Sequence, residues 1–169
     1  MHKSGFSDDV KYHYGANNLA LKLNSGKFAK ATLLSNPSHL ESVNGAIYGY
    51  THALQTASSS PLNTLGIICH GDASFSGQGV VYEAMQFSKV KNYSPEGIIH
   101  IIINNNVGFT ANPDETRSTP TTSSLAMAFD IPALRVNANC MKSVISAAKI
   151  AAEYRQKFKK DFIIELIGD

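Results

Sequence analysis

LGIICHGDASFSGQG at residues 65–79 and IIHIIINNNVGFT at 98–110 share one layout, an apolar run that gives way abruptly to glycine, acid, amide and hydroxyl residues. Short apolar runs bounded by turn residues predict strands covered on both faces by helices. Between them, GVVYEAMQFSKV at 79–90 predicts a helix and NYSPEG at 92–97 a break. Strand, helix, strand is a βαβ unit, and its crossover sets the two strands parallel. The fold class follows as α/β, a doubly wound parallel sheet.

The same alternation continues toward the C-terminus. A helix is predicted over 121–129, a short strand near Ala133 to Val136, and a long amphipathic helix over about 141–158, where Val144, Ile145, Ala148, Ala151, Ala152 and Phe158 keep the helical period. DFIIELI at 161–167 reads as another buried strand. Toward the N-terminus, Leu19, Leu21 and Leu23 alternate with Ala20, Lys22 and Asn24, then come NSG at 24–26 and FAKATLL at 28–34. That pattern predicts a hairpin. In NPSHLES at 36–42, Ser38 and Glu41 have the spacing of a capping box, which predicts a helix running to about Gln55 on Leu40, Val43, Ile47 and Tyr48. The expected organisation is an N-terminal segment with the hairpin over 1–35 and one α/β unit over 36–169.

At 169 residues, with 43% hydrophobic and 17% charged content, the chain has one domain's worth of material and enough apolar residues for a core. The net charge of +2 comes from 15 basic and 13 acidic residues without long runs, so neither nucleic acid nor a membrane surface is indicated as a partner. Lys157, Lys159 and Lys160 read as the close of a helix. No apolar stretch is long enough to span a bilayer, and MHKSGF at 1–6 has no signal-peptide core. Cys69 and Cys140 lack a CxxC partner and read as small buried hydrophobes, consistent with a reducing compartment.

Ligands of open α/β sheets sit beyond the carboxyl ends of the strands. Asp72 follows the first quoted run and Asn105 the second, one crossover helix apart, so their side chains are placed to converge. A magnesium ion takes an octahedron of oxygens, with one or two carboxylates and phosphate or water among them. The Asp72 carboxylate, the Asn105 amide oxygen and a backbone carbonyl near Val107 would supply half of it. Gly71, Ala73, Gly77 and Gly79 allow a phosphate close approach to backbone N–H groups. Either half alone serves more often as a turn than as a ligand. The pair, at consecutive strand ends, favours a site.

These residues also resemble a family. GDASFSGQG followed by NNNVGFT is similar to the GD and NN signature of thiamine diphosphate enzymes. DVKYHYG at 9–15, NPSHLES at 36–42, HGDASFSGQGVVYEA at 70–84, NNNVGFT at 104–110 and RS at 117–118 resemble, in order, the decarboxylating first component of 2-oxoglutarate dehydrogenase. The resemblance implies thiamine diphosphate and Mg2+ as cofactors, with Asp72, Asn105 and the Val107 carbonyl on the metal and Leu40 and Ala73 lining the cofactor. It places His13 and Ser38 toward the substrate's carboxylates. A histidine and a hydroxyl suit a dianionic 2-oxo acid.

The implied reaction is oxidative decarboxylation of 2-oxoglutarate in the tricarboxylic acid cycle, with succinyl passed to the lipoyl group of a dihydrolipoamide succinyltransferase. A homodimer is expected of the full-length enzyme. The setting is a bacterial cytoplasm, with the mitochondrial matrix as the other possibility. The family's enzymes are several times longer, and a glutamate outside these 169 residues activates their cofactor, so this chain alone is expected to be a diphosphate-binding domain without turnover. A relative acting on 2-oxoadipate, or a non-catalytic interaction module that keeps the fold, stands as the alternative. Asp8, Asn17 and Asn106 depart from the family's usual residues. His70 and His100, being in strands, read as core or supporting groups rather than catalytic ones. Glu83 reads equally as a contact to a neighbouring subunit and as a solvated acid.

Overall fold

The computed structural model describes residues 11–108 and 110–168. The polar stretch through Val10, with His2 and Asp8, lies outside them. The leucine alternation around NSG folds as an antiparallel hairpin of β1 (Ala16–Lys22) and β2 (Phe28–Leu33). Its apolar side chains stay outside the core, Leu21 at 51% and Phe28 at 69% exposure.

The rest is one parallel sheet between helices. Helix α1 (Val43–Thr56) leads to β3 (Gly66–Gly71), a short α2 (Asp72–Gly77) and α3 (Gly79–Phe87). Then follow β4 (Ile98–Asn104), α4 (Pro113–Thr116), a 3₁₀ helix over Thr122–Phe129, β5 (Ala133–Asn137), α5 (Met141–Phe158) and β6 (Phe162–Ile167). The strand order is β3-β4-β6-β5, and every pairing is parallel. In register, Gly71 lies beside Ile103 and Asn104 beside Ile167, so the polar ends of the two decisive runs come out at the same edge.

One face of the sheet, with Ile98, Ile102 and Ile163 fully buried, packs under α1, α2, α3 and the 3₁₀ helix. Each such isoleucine contributes about 2 kcal/mol. Gly66 lets α1 approach, since a Cβ there would lie 2.4 Å from Ile98 Cδ1 and 2.6 Å from Thr51 Oγ1. The other face, with Ile99, Phe162 and Ile164, packs under Ala147 and Ala151 of α5. At the opposite edge from Asp72, the buried Arg155 of α5 donates to the carbonyls of Gly97, Leu62 and Thr64 at 3.3, 2.7 and 2.6 Å.

Several expectations are corrected. Helix α1 begins at Val43, and Glu41 has a left-handed φ of 66°, so no Ser38–Glu41 capping box forms. The Glu41 carboxylate is drawn instead to partners across the fold. HGDASFSGQG contains a helical turn of its own, α2, because Asp72 and its small successors nucleate at the strand end. Residues 122–129 are 3₁₀ rather than α-helical. Strand β3 is buried on one face only, because α5 lies over β4, β5 and β6 and stops short of this edge strand. For that reason Cys69 is exposed, as is Cys140 just before α5. The buried stripe of α5 is Ala147, Ala151 and Arg155, while Ile145 and Phe158 are each 49% exposed.

Candidate functional site

The chain turns from strand to polar residue at the carboxyl ends of β3 and β4, and there a cleft of about 640 Å³ opens. Leu40, Asp72, Ala73, Asn105 and Val107 all line it, together with His70, Ser74 and Gly108 among others. Residues far apart in sequence are thereby brought to one surface. Gly108 makes the close fit possible, since a Cβ there would lie 2.8 Å from Thr116 Cγ2 and 3.4 Å from Ala73 Cβ.

Asp72 opens α2 and is 4% exposed. Arg117 Nη1 stands 3.8 Å from Asp72 Oδ2, a charge contact too long for a hydrogen bond, and that nitrogen is buried with no hydrogen-bond partner among the described residues. The three asparagines divide the work. Asn104 is buried, gives its Nδ2 to Glu165 Oε1 at 2.7 Å and accepts the Asn106 N–H on Oδ1 at 3.1 Å. Asn105 points the other way, with Oδ1 accepting the Val107 N–H at 3.2 Å and one lone pair left over. Asn106 takes a left-handed φ of 57° that turns the loop. Asp72, Asn105 and Val107 line one cleft, and a carboxylate with amide and backbone oxygens is the donor type that a hard divalent cation takes. Among the described residues no three His, Cys, Asp or Glu side chains gather around a point, so a metal here would depend on the amide and carbonyl oxygens.

His13 and Ser38 are brought to each other, Ser38 Oγ lying 3.2 Å from His13 Nε2. Neither lines the cleft itself, though Leu40, two residues on from Ser38, does. Glu83 is exposed on α3.

Behind the cleft wall lies a buried polar chain that periodicity did not show. Glu41 Oε2 accepts His70 Nδ1–H at 2.6 Å and Asn44 Nδ2 at 3.1 Å, while Oε1 accepts Ser74 Oγ–H at 2.5 Å. His70 Nε2 is 2.9 Å from His100 Nδ1, and His100 Nε2 is 3.2 Å from the Tyr48 hydroxyl. Tyr48 donates to Asp161 at 2.7 Å, and Asp161 also accepts the Ile98 N–H at 2.8 Å. Burial pushes the Tyr48 phenol far above its ordinary value, helped by Asp161, so Tyr48 stays a donor.

Burial also pushes the Glu41 carboxyl up, but the bonds from His70, Ser74 and Asn44 outweigh it and hold it below its ordinary value. For His70, burial dominates and lowers the pKa despite Glu41. The pair is thus a carboxylate accepting from a neutral imidazole, held by the hydrogen bond more than by charge. It anchors Glu41 in a left-handed conformation that costs about 1 kcal/mol for a residue with a Cβ.

The family described as the dehydrogenase E1 component matches residues 4–168. The chain belongs to that family. It is 46% identical to the 2-oxoglutarate dehydrogenase E1 component of Bacillus velezensis over 97% of this chain and 18% of that protein. It is 47% identical to the mitochondrial 2-oxoglutarate dehydrogenase of Saccharomyces cerevisiae over 96% of this chain and 16% of that protein. With the Dictyostelium discoideum mitochondrial enzyme the identity is 42% over 94% of this chain. The chain therefore spans less than a fifth of the length of these E1 relatives. Membership of the E1 family implies thiamine diphosphate as the cofactor.

The side chains that support the cleft had weaker signals in the sequence. Glu165 lies in an otherwise apolar strand, and that lone acid in FIIELI was the available signal. It is completely buried and accepts from Asn104, from Ser123 N–H and Oγ–H at 3.2 and 2.5 Å, and faces Arg135 Nε at 3.3 Å. Arg117 had a weaker signal, its place in the RS pair.

Proposed function

We propose that this chain is the diphosphate-binding part of a 2-oxoglutarate dehydrogenase E1 component, with residues 36–169 as the binding unit and 1–35 as an N-terminal segment. One observation carries the reading, namely that Leu40, Asp72, Ala73, Asn105 and Val107 line a single cleft at the carboxyl ends of β3 and β4. The names of the relatives support 2-oxoglutarate as substrate and a lipoyl-bearing succinyltransferase as the acceptor's carrier. Because those relatives are bacterial and mitochondrial, a bacterial cytoplasm or a mitochondrial matrix is the setting we assign. No helix among the described residues is long and apolar enough to cross a membrane.

Thiamine diphosphate, when bound, supplies the electron sink for loss of carbon dioxide from a 2-oxo acid. The chain's own residues bind and orient it. Asp72, the Asn105 amide oxygen and the Val107 carbonyl would hold Mg2+, which would neutralise diphosphate charge, and Leu40 and Ala73 would supply apolar cover. Arg117, whose buried Nη1 has no hydrogen-bond partner among the described residues, offsets the Asp72 charge. His13 and Ser38, bonded to each other, would present their remaining donor to a substrate carboxylate. By itself the chain binds without turnover, and the full-length enzyme works as a homodimer.

Calorimetry tests the reading. Thiamine diphosphate is expected to bind this chain only with Mg2+ present, and Asp72→Ala is expected to abolish the heat. Binding that ignores both the metal and Asp72, or an absence of binding, overturns it. Release of carbon dioxide from 2-oxoglutarate by this chain alone would overturn the statement about turnover.

A further inference from the structure

The Glu41 carboxylate is unusual in what it joins. It belongs to the loop Asn36–Ser42, whose Leu40 lines the cleft, yet two of its three partners, His70 and Ser74, belong to the opposite wall and line the cleft themselves. The third, Asn44, is 1% exposed and fixes the carboxylate from the first turn of α1. His70 precedes Asp72 by two residues and Ser74 follows it by two, so Glu41 grips the turn that carries Asp72 from both sides. Ser74 Oγ also reaches the Gly71 carbonyl at 3.0 Å, closing the turn on itself. The left-handed φ of 66° lets the chain send Leu40 to the cleft and the next side chain behind it.

We propose that Glu41 is a positioning residue, a buried clamp that sets the distance between the Ser38–Leu40 segment and the Asp72–Ser74 turn and so the width of the cleft. The inference rests on the proposed cofactor site for its consequence but not for the clamp itself. No atom of Glu41 is required to touch the ligand. Its effect passes through His70 and Ser74, and preorganised walls bind more tightly than walls that must first be ordered.

Two measurements on the chain, in wild type, Glu41→Ala, Glu41→Gln and a control, test it. The control is Ile164→Val, a core change beneath α5 on the other face of the sheet. Amide hydrogen exchange needs no ligand. In Glu41→Ala, exchange at residues 38–42 and 71–75 is expected to accelerate at least tenfold while the β4 and β6 amides keep their rates, and Glu41→Gln, which keeps an acceptor for Ser74, is expected to recover part of the protection. Unchanged exchange in both segments, or equal acceleration throughout the sheet, overturns the clamp. Titration with Mg2+ and thiamine diphosphate gives the second readout. Glu41→Ala is expected to weaken binding about tenfold or more, whereas Ile164→Val lowers the melting temperature without moving the affinity. If affinity follows melting temperature alike in both variants, Glu41 is structural only and the inference fails. If wild type binds nothing, the function proposed above fails, and the exchange pattern still decides the clamp.

Discussion

The two faces of the sheet are built from different materials. Under α5 the sheet itself is met by apolar contacts, Ile99, Phe162 and Ile164 against Ala147 and Ala151, and the buried Arg155 of that helix bonds to loop carbonyls rather than to strand side chains. Under α1, α2 and the 3₁₀ helix, the same strands turn His70, His100, Asn104 and Glu165 inward among isoleucines. An apolar face tolerates small shifts because dispersion and burial have no direction. Buried polar groups do not, since each must keep its partner. The polar face is also the one whose chains end at the cleft, Glu41 and His70 behind Asp72, Glu165 behind Asn104. Position at the site is thus set on one face and general stability on both.

Glu165→Ala should break the contrast most strongly. It strands the Asn104 amide and the Ser123 N–H and hydroxyl in a fully buried place, and a stability loss of about 3 kcal/mol is expected in urea unfolding. A loss below about 1 kcal/mol would mean that these donors find water or one another, and the polar face would then be no more demanding than the apolar one.

Acid should act on the polar face in two steps. His70 has a folded pKa below its ordinary 6.5, so the unfolded chain binds the extra proton first and stability declines as pH falls below about 6.5. Glu41 is also depressed, from 4.5, so its contribution is present above that value and is lost as pH falls through the lower folded pKa. Both groups destabilise the fold in the same direction, in two successive windows. Urea midpoints measured from pH 8 to about pH 2 should fall in that order. Glu41→Gln should flatten the lower window, and a midpoint independent of pH in wild type would sink the assignment of a neutral His70 bonded to an ionised Glu41.

Much of this was legible in residues whose neighbours in sequence decide their fate. The hairpin around NSG, the strands ending at His70-Gly71-Asp72 and at Asn104-Asn105, and the limits of α5 follow from alternation, apolar runs and helical period; Asp72, Ala73, Asn105 and Val107 follow from the motifs at those strand ends, and Leu40 only from the resemblance of NPSHLES to the family. Glu41 was misread because its spacing from Ser38 satisfies a local rule, while the partners that capture it, His70 and Ser74, lie about 30 residues away. Arg155 falls outside the apolar period that marks α5, yet it is 2% exposed and binds three loop carbonyls. Long-range pairing of this kind leaves no period in the sequence. The exposed side of β3 was hidden for another reason, since an apolar run cannot say which of its faces a helix will reach.

That last point gives the smallest and cleanest comparison. Ile67 and Ile99 are neighbours in register on one face of the sheet, but Ile99 is 5% exposed under α5 and Ile67 is 49% exposed beyond its reach. Removing one methylene from each isolates what helix cover adds. Ile99→Val should cost about 1 kcal/mol in urea unfolding, as such trims do in packed cores. Ile67→Val should stay within about 0.5 kcal/mol, as surface changes do. Equal costs would mean that something covers β3 in solution. A second copy of the chain would then show itself as a melting temperature that rises with protein concentration, whereas a concentration-independent value would point back to cover from within the chain.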